Sequence, residues 1–297
     1  MRVLVTGAGG QLGADLVDAF ADHDVVGLTR AELDVADEAA VAAAVEGLGP
    51  ALVVNAAAWT DVDGCESDPE RAHRVNALGP WWLARACERR GATLVTFSTD
   101  YVFDGVAPIG PGGAPRGFDE WDPIAPLGVY GRSKRAGEEL VRGTLAEHHI
   151  VRTAWLSGAR GRNFVRTILA AAAGGTPLKV VDDQTGSPTV TRDLARAVRE
   201  LAVSGRHGTV HVANAGACTW FELAAAILEE ARLDTELEPQ SSSALTRAAR
   251  RPGWSVLDTT HARTTGIAPM PHWRDGLIRL LDELGARGTP GGGRDRR

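Results

Sequence analysis

The stretch RVLVTGAGGQLGADLVDAF, residues 2–20, decides the fold. Its first part is a short apolar run that stops at a glycine. Its second part carries helical periodicity through Leu12, Leu16, Ala19 and Phe20. Between them Gly7, Gly10 and Gly13 follow the spacing G-x-x-G-x-x-G. Between a strand and a helix these glycines have separate tasks: a tight turn, room for a pyrophosphate against the backbone, and close packing of helix on strand. The helix end then offers unpaired N–H groups and the positive end of its dipole to phosphate. Gly7, Gly10, Gln11, Leu12 and Gly13 are therefore expected to bind a dinucleotide; outside that context such glycines would be turn formers only.

Working outward, DVVGLT, ALVVNAAA, GATLVTFSTD and HHIVRTAWL read as further strands. ALVVNAAA is continuously apolar, as strands buried on both faces are. Helical stretches separate them, among them EAAVAAAVEGL and PERAHRVNALGPWWLARACERR, the latter expected to bend at Gly79-Pro80. Strand and helix alternating at this spacing predict an α/β fold, a Rossmann-type doubly wound parallel sheet. After Leu156 the rhythm changes to shorter strands and longer connections. We read residues 1–155 as the NAD(P)-binding unit. Residues 156–288 read as a smaller C-terminal substrate-binding domain with segments returning to the sheet. The tail RGTPGGGRDRR has nothing apolar to bury, and 289–297 are expected to be disordered.

The bulk composition excludes several classes. With 44% hydrophobic and 24% charged residues, the chain has the make-up expected of an ordinary soluble globular protein. A net charge of -6 and a pI near 5.8 argue against nucleic acid or an anionic membrane as the main partner. Three scattered cysteines form neither a disulfide framework nor a zinc motif. No leader and no membrane-spanning run is read in the sequence, so the expected location is cytoplasmic. The histidines show no ligand spacing, and His207 and His211 are expected to be structural or exposed.

The end of the second strand bears on the cofactor. An acidic residue there would favour NAD through the ribose hydroxyls. This chain has Gly27-Leu28-Thr29-Arg30 instead. Arg30 can pair with a 2′-phosphate and Thr29 can donate to it, which favours NADPH with NADH tolerated; a solvated surface arginine is the alternative. Asp34 and Val35 of LDVAD are expected near the adenine. Ala56, Ala57 and Ala58 are small enough for the cofactor to lie against the backbone. The sequence holds 2 tyrosines, and one of them, Tyr130, stands four residues before Lys134 at the mouth of a helix. Such residues share a helix face. They are either an ordinary surface pair or a proton donor whose pKa a cation pulls down.

GAGGQLG, NAAAWTDVDGCE, FSTDYVFDG, YGRSK, RTAWL, DDQTGSPT and RPGWSVLDT occur in this order along the chain. Together they resemble the dTDP-4-dehydrorhamnose reductase family of extended short-chain dehydrogenase/reductases, from Met1 to about Leu284. The resemblance implies NADPH-dependent reduction of dTDP-4-dehydro-L-rhamnose at C4 to dTDP-L-rhamnose. It gives Tyr130 the role of proton donor and makes Lys134 the stabiliser of its phenolate and the holder of the nicotinamide ribose. Thr99 orients the carbonyl, with Ser98 as the second choice. Thr99, Asp100, Tyr130 and Trp155 then line the sugar pocket. Arg250 and Arg251 either meet the diphosphate or form a solvated charge run.

The loop over residues 104–126 is longer and richer in Gly and Pro than the family pattern, and Trp254 also departs from it. Some members use magnesium. Asp15 and Asp193 fall in the corresponding segments, but Arg192 stands where an acidic ligand is expected, so no metal site is assigned and magnesium stays open, as does a homodimer. Alternatives are a 4-ketoreductase for another dTDP-6-deoxyhexose, a non-catalytic NADP-binding regulatory subunit, and an epimerase.

Overall fold

The computed structural model describes residues 1–175, 177–264 and 266–288. The tail expected to be disordered, 289–297, lies outside the described residues. In the first half, β1 (Arg2–Thr6), β2 (Asp24–Leu28), β3 (Leu52–Asn55), β4 (Thr93–Thr99) and β5 (His148–Thr153) alternate with helices. These are α1 (Gln11–Ala19), α2 (Glu38–Leu48), α3 (Val62–Ser67), α4 (Pro69–His73), α5 (Gly79–Arg90) and α6 (Val129–Thr144). Near the bend expected at Gly79-Pro80, the helical stretch instead carries a π-helical turn over Arg74–Leu78, directly before α5. Pro80 follows that turn as the second residue of α5.

The second half has β6 (Leu156–Ser157), α7 (Phe164–Ala173), β7 (Leu178–Val181), β8 (Thr185–Gly186), β9 (Thr189–Val190) and α8 (Thr191–Ala202). Then come β10 (Gly208–His211), β11 (Cys218–Thr219), α9 (Trp220–Ala231), β12 (Leu237–Gln240), β13 (Trp254–Ser255), α10 (Thr260–Thr264) and α11 (Trp273–Glu283).

The main sheet runs β10-β5-β4-β3-β1-β2 with every pairing parallel. The chain reverses direction across the sheet between β1 and β3, and ligands of such sheets bind at the carboxyl ends by that reversal. Thr6, Asn55 and Thr96 join those ends in a buried ladder: Thr6 Oγ1 donates to Asn55 Oδ1 at 2.7 Å and Asn55 Nδ2 to Thr96 Oγ1 at 3.1 Å. Both faces of the sheet are covered. Val3, Val5, Leu12, Leu16, Leu194 and Val198 fill one side, beneath α1 and α8. Leu4, Val41, Val45, Val53, Leu83 and Val141 fill the other, beneath α2, α5 and α6. A separate core of α7, α9 and α11 gathers Val165, Ile168, Leu223, Ile227, Leu277 and Leu281. The three cysteines are buried and unbridged, and no described helix is long and apolar enough to cross a membrane.

Arg152 of β5 and Glu138 of α6 form a fully buried pair, with bonds of 2.9 and 2.7 Å and side-chain exposures of 1% and 2%. His211 lies against Arg152, and burial together with that cation lowers its pKa to about 3, so it stays neutral. The expectation of a structural or exposed histidine resolves to a buried one at this position. Removing one partner strands the other's charge, so Glu138→Ala is expected to cost about 3–5 kcal/mol of stability, read by urea unfolding.

Candidate active site

Two cavities open at the carboxyl ends of the main sheet, abutting at Gly10, Ala56 and Ala58. The first, about 440 Å³, is lined by Gly7, Gly10, Thr29, Arg30, Asp34, Val35 and the alanines 56–58. The second, about 420 Å³, takes in Gln11, Leu12, Thr99, Asp100, Tyr130, Lys134 and Trp155. Of the residues expected to bind the cofactor, all but Gly13 line one or both of these cavities. A Cβ on Gly13 would stand 2.1 Å from Gly7 O, so its place is the packing of α1 onto the loop. Gly7 has φ 69, and a Cβ there would stand 2.7 Å from Ala57 N. The first turn of α1 therefore opens straight onto the cavity, with N–H groups that have no partner within the helix. This cradle fits a pyrophosphate.

At the rim, the structure differs from the sequence reading. The Thr29 hydroxyl donates to Glu32 Oε2 at 2.8 Å, as does its backbone N–H, so it is engaged within the chain. Arg30 is 71% exposed and lies 3.8 Å from Asp34. Arg71, unnoticed in the sequence, lines the same cavity with its guanidinium over Trp59 at 4.2 Å. The Gln11 side chain reaches the second half of the chain, donating to Arg162 O at 3.0 Å and accepting from Asn163 Nδ2 at 2.9 Å.

α6 carries Tyr130 and Lys134 inward. Two glycines let it approach: a Cβ at Gly131 would stand 2.1 Å from Tyr101 O, and one at Gly137 2.4 Å from Asn76 O. Its first N–H is capped from a distance, Val129 N donating to Glu66 Oε1 at 2.7 Å. Asn76 of the π-turn ties Ser133 Oγ at 3.1 Å and the Trp59 backbone, which holds the helix to the cofactor side. Lys134 Nζ donates to Phe97 O at 2.9 Å. Burial lowers its pKa to about 8, against the raising field of Glu138. Tyr130 meets Tyr101 edge-on at 5.5 Å. Burial raises the phenol well above its ordinary range and the Asp100 carboxylate adds to that, while the Thr99 hydroxyl offsets part. In the chain alone the shift is thus opposite to the lowering by a cation considered from the sequence, and Tyr130 is held neutral with its proton in place.

Thr99 Oγ1 donates to Asp100 Oδ1 at 2.9 Å and accepts from Tyr101 N at 3.2 Å. Asp100 Oδ2, Ser98 Oγ and Thr153 Oγ1 are buried without a partner, and all three residues line the second cavity. Buried polar atoms are rarely left unpaired unless something else binds there. Burial raises Asp100 to about 6, with the Ser255 and Thr99 hydroxyls pulling it back. A carboxyl raised on folding keeps its proton longer than in the unfolded chain, so stability falls as pH climbs from 3.8 to about 6. Asp100→Asn removes that loss. It is expected to gain up to about 3 kcal/mol in urea unfolding at about pH 8 and little at about pH 4.

Other expectations are placed elsewhere. Arg251 pairs with Asp63 at 2.8 Å and 3.2 Å and faces neither cavity; Arg250 is exposed. Asp193 is held by Arg279 at 2.7 Å and Asn214 at 2.8 Å, and Arg192 lies 3.6 Å from Glu283. Among the described residues no group of three acids, histidines or cysteines is placed to hold a metal.

No residue of the loop 104–126 lines either cavity. The loop is ordered on itself, Arg116 gripping Asp122 at 2.6 and 2.7 Å, and Trp254 braces it by donating to Arg116 O at 2.9 Å. Sequence reasoning missed Trp220, which lines the second cavity and stacks on Trp155. Only tertiary contact brings it there from the start of α9.

A family model described as RmlD substrate binding domain matches residues 1–286. The dTDP-4-dehydrorhamnose reductase of Mycobacterium tuberculosis (strain CDC 1551 / Oshkosh) is 44% identical, covering 94% of this chain and 92% of that protein. A Streptomyces antibioticus protein named probable dTDP-4,6-dihydroxy-2-methyloxan-3-one 4-ketoreductase is 41% identical over 98% of both. Among solved structures, dTDP-4-dehydrorhamnose reductase from Bacillus anthracis in complex with NADP superposes with a TM-score of 0.90 at 37% identity, covering 95% of this chain and 99% of that one. With a matching family model over nearly its whole length and relatives of this identity, the chain belongs to the dTDP-4-dehydrorhamnose reductase family of the extended short-chain dehydrogenase/reductases.

Proposed function

We propose that this chain uses NADPH to reduce the 4-keto group of dTDP-4-dehydro-L-rhamnose, giving dTDP-L-rhamnose. The observation that carries the reading is the second cavity. Tyr130, Lys134, Thr99 and Asp100 converge there around three unpartnered polar atoms, next to the glycine cradle. NADPH, when bound, supplies the hydride to C4. Tyr130, buried and neutral, donates its phenolic proton to the carbonyl oxygen as negative charge develops on it. Lys134, whose pKa of about 8 leaves it protonated at neutral pH, stabilises the phenolate that remains. The Thr99 hydroxyl, which donates to Asp100 in the free chain, turns its proton to the carbonyl oxygen when the sugar binds, and the Asp100 carboxylate then accepts from a sugar hydroxyl instead. The 2′-phosphate of the cofactor is assigned to Arg30, with Arg71 lining the same cavity. In this reading residues 1–155 form most of the cofactor half and 156–288 most of the sugar half, with α8 and β10 packed into the former.

A second reading, reduction of another dTDP-6-deoxyhexose, is favoured by the Streptomyces antibioticus relative. It keeps every role above and changes only the sugar. The non-catalytic reading is disfavoured by the intact Tyr130, Lys134 and Thr99 in one cavity. Comparing NADPH oxidation over dTDP-4-dehydro-L-rhamnose and dTDP-4-keto-6-deoxy-D-glucose decides. The account expects kcat/KM at least about tenfold higher for the first, and the reverse preference would move the assignment to the second reading.

A further inference from the structure

Trp155 is left-handed at φ 48, one of two described non-glycine residues with positive φ. A bulky residue keeps such a backbone only where its surroundings impose it. Those surroundings form a slot. Trp220 lies flat on the indole, centroids 3.5 Å and planes 7° apart, with Phe164 behind it at 4.6 Å. Gly186 stands against the Nε1 edge of the indole, where a Cβ would come within 2.4 Å of Trp155 Cε2 and 2.7 Å of its Nε1.

The two walls are built by one small sheet. Gly186 pairs with Cys218 on one side and with Ser255 on the other. Thr219 follows Cys218 and starts α9 with a capping box, its hydroxyl also donating to Asp182 at 2.9 Å. That places Trp220 at the helix's first position. The motif DDQTGSPT thus supplies both the anchor for Trp220 and the gap for the Trp155 edge.

We infer that Trp220 and Gly186 are positioning residues that fix the Trp155 indole and so set the shape of the sugar end of the cavity. This rests on the reading of that cavity as the keto-sugar pocket. A side chain at position 186 displaces the indole from Trp220, and loss of Trp220 releases it to other rotamers.

The test uses calorimetric titration of the full chain with dTDP-L-rhamnose, which needs no turnover, beside NADPH titration and near-ultraviolet circular dichroism of the stacked indoles. Trp220→Ala and Gly186→Ala are each expected to weaken dTDP-L-rhamnose about tenfold and to lose the indole couplet, with NADPH affinity held within about twofold. Trp220→Phe keeps a flat partner and should retain most of the affinity. Unchanged dTDP-L-rhamnose affinity in Trp220→Ala or Gly186→Ala overturns the inference, as does an equal fall in NADPH affinity. If Trp220→Ala does not fold, Gly186→Ala decides from the Nε1 edge of the indole. A wild-type chain that fails to bind dTDP-L-rhamnose would instead fail the functional reading.

Discussion

Tyr130→Phe is expected to lower kcat about 1,000-fold while NADPH binds within about twofold of the wild type. The substitution removes one oxygen and leaves the ring, so the edge contact with Tyr101 and the packing with Cys65 and Val129 persist. What is lost is the proton for the carbonyl oxygen, an interaction made in the transition state and not in cofactor binding. Steady-state kinetics and an NADPH titration on the same protein separate the two. Tyr101 is the natural control, because it lines the same cavity. Tyr101→Phe should keep turnover within about threefold, and a larger loss there than at Tyr130 would reassign the donor.

Lys134→Met should damage both quantities, lowering kcat about 100-fold or more and weakening NADPH about tenfold. The ammonium is buried and its pKa is depressed to about 8, so its charged form prevails below that pH and is lost above it. Wild-type kcat/KM should therefore fall as pH rises through about 8, a limb that Lys134→Met lacks. The same depressed pKa means that the folded chain holds this proton less tightly than the unfolded one, so the cation opposes folding at neutral pH. An apolar chain of similar length is then expected to be no less stable in urea at about pH 7, which distinguishes lost chemistry from lost fold.

The parts of this account that the sequence disclosed are those with a local period or a fixed spacing. The apolar strands, the glycine joint at residues 7–13 and the four-residue step from Tyr130 to Lys134 all act within one or two turns of chain. The small residues at 56–58 were legible too, because size is written in the residue type, and all three line the first cavity. The rest depends on partners far away in the chain. Glu66 capping α6 across 63 positions leaves no pattern to read. Glu138 looks like one more charge on a polar helix until Arg152 is brought to it from β5.

Thr29 shows the converse case. Its residue type suits a phosphate, but Glu32 three positions on takes the hydroxyl first. The long loop drew attention by its composition, yet it is folded onto Arg116, Asp122 and Trp254 and stays outside both cavities. Even the sign of the Tyr130 shift was out of reach, since burial and the Asp100 carboxylate decide it and neither follows from spacing.

The central claim is that this chain delivers hydride to C4 of a dTDP-4-keto sugar. The most direct measurement supplies NADPH deuterated at the transferable position together with dTDP-4-dehydro-L-rhamnose, and reads the product by NMR. The account predicts dTDP-L-rhamnose with deuterium at C4. Deuterium at any other carbon, or no deuterated product from protein that binds both ligands, would contradict it.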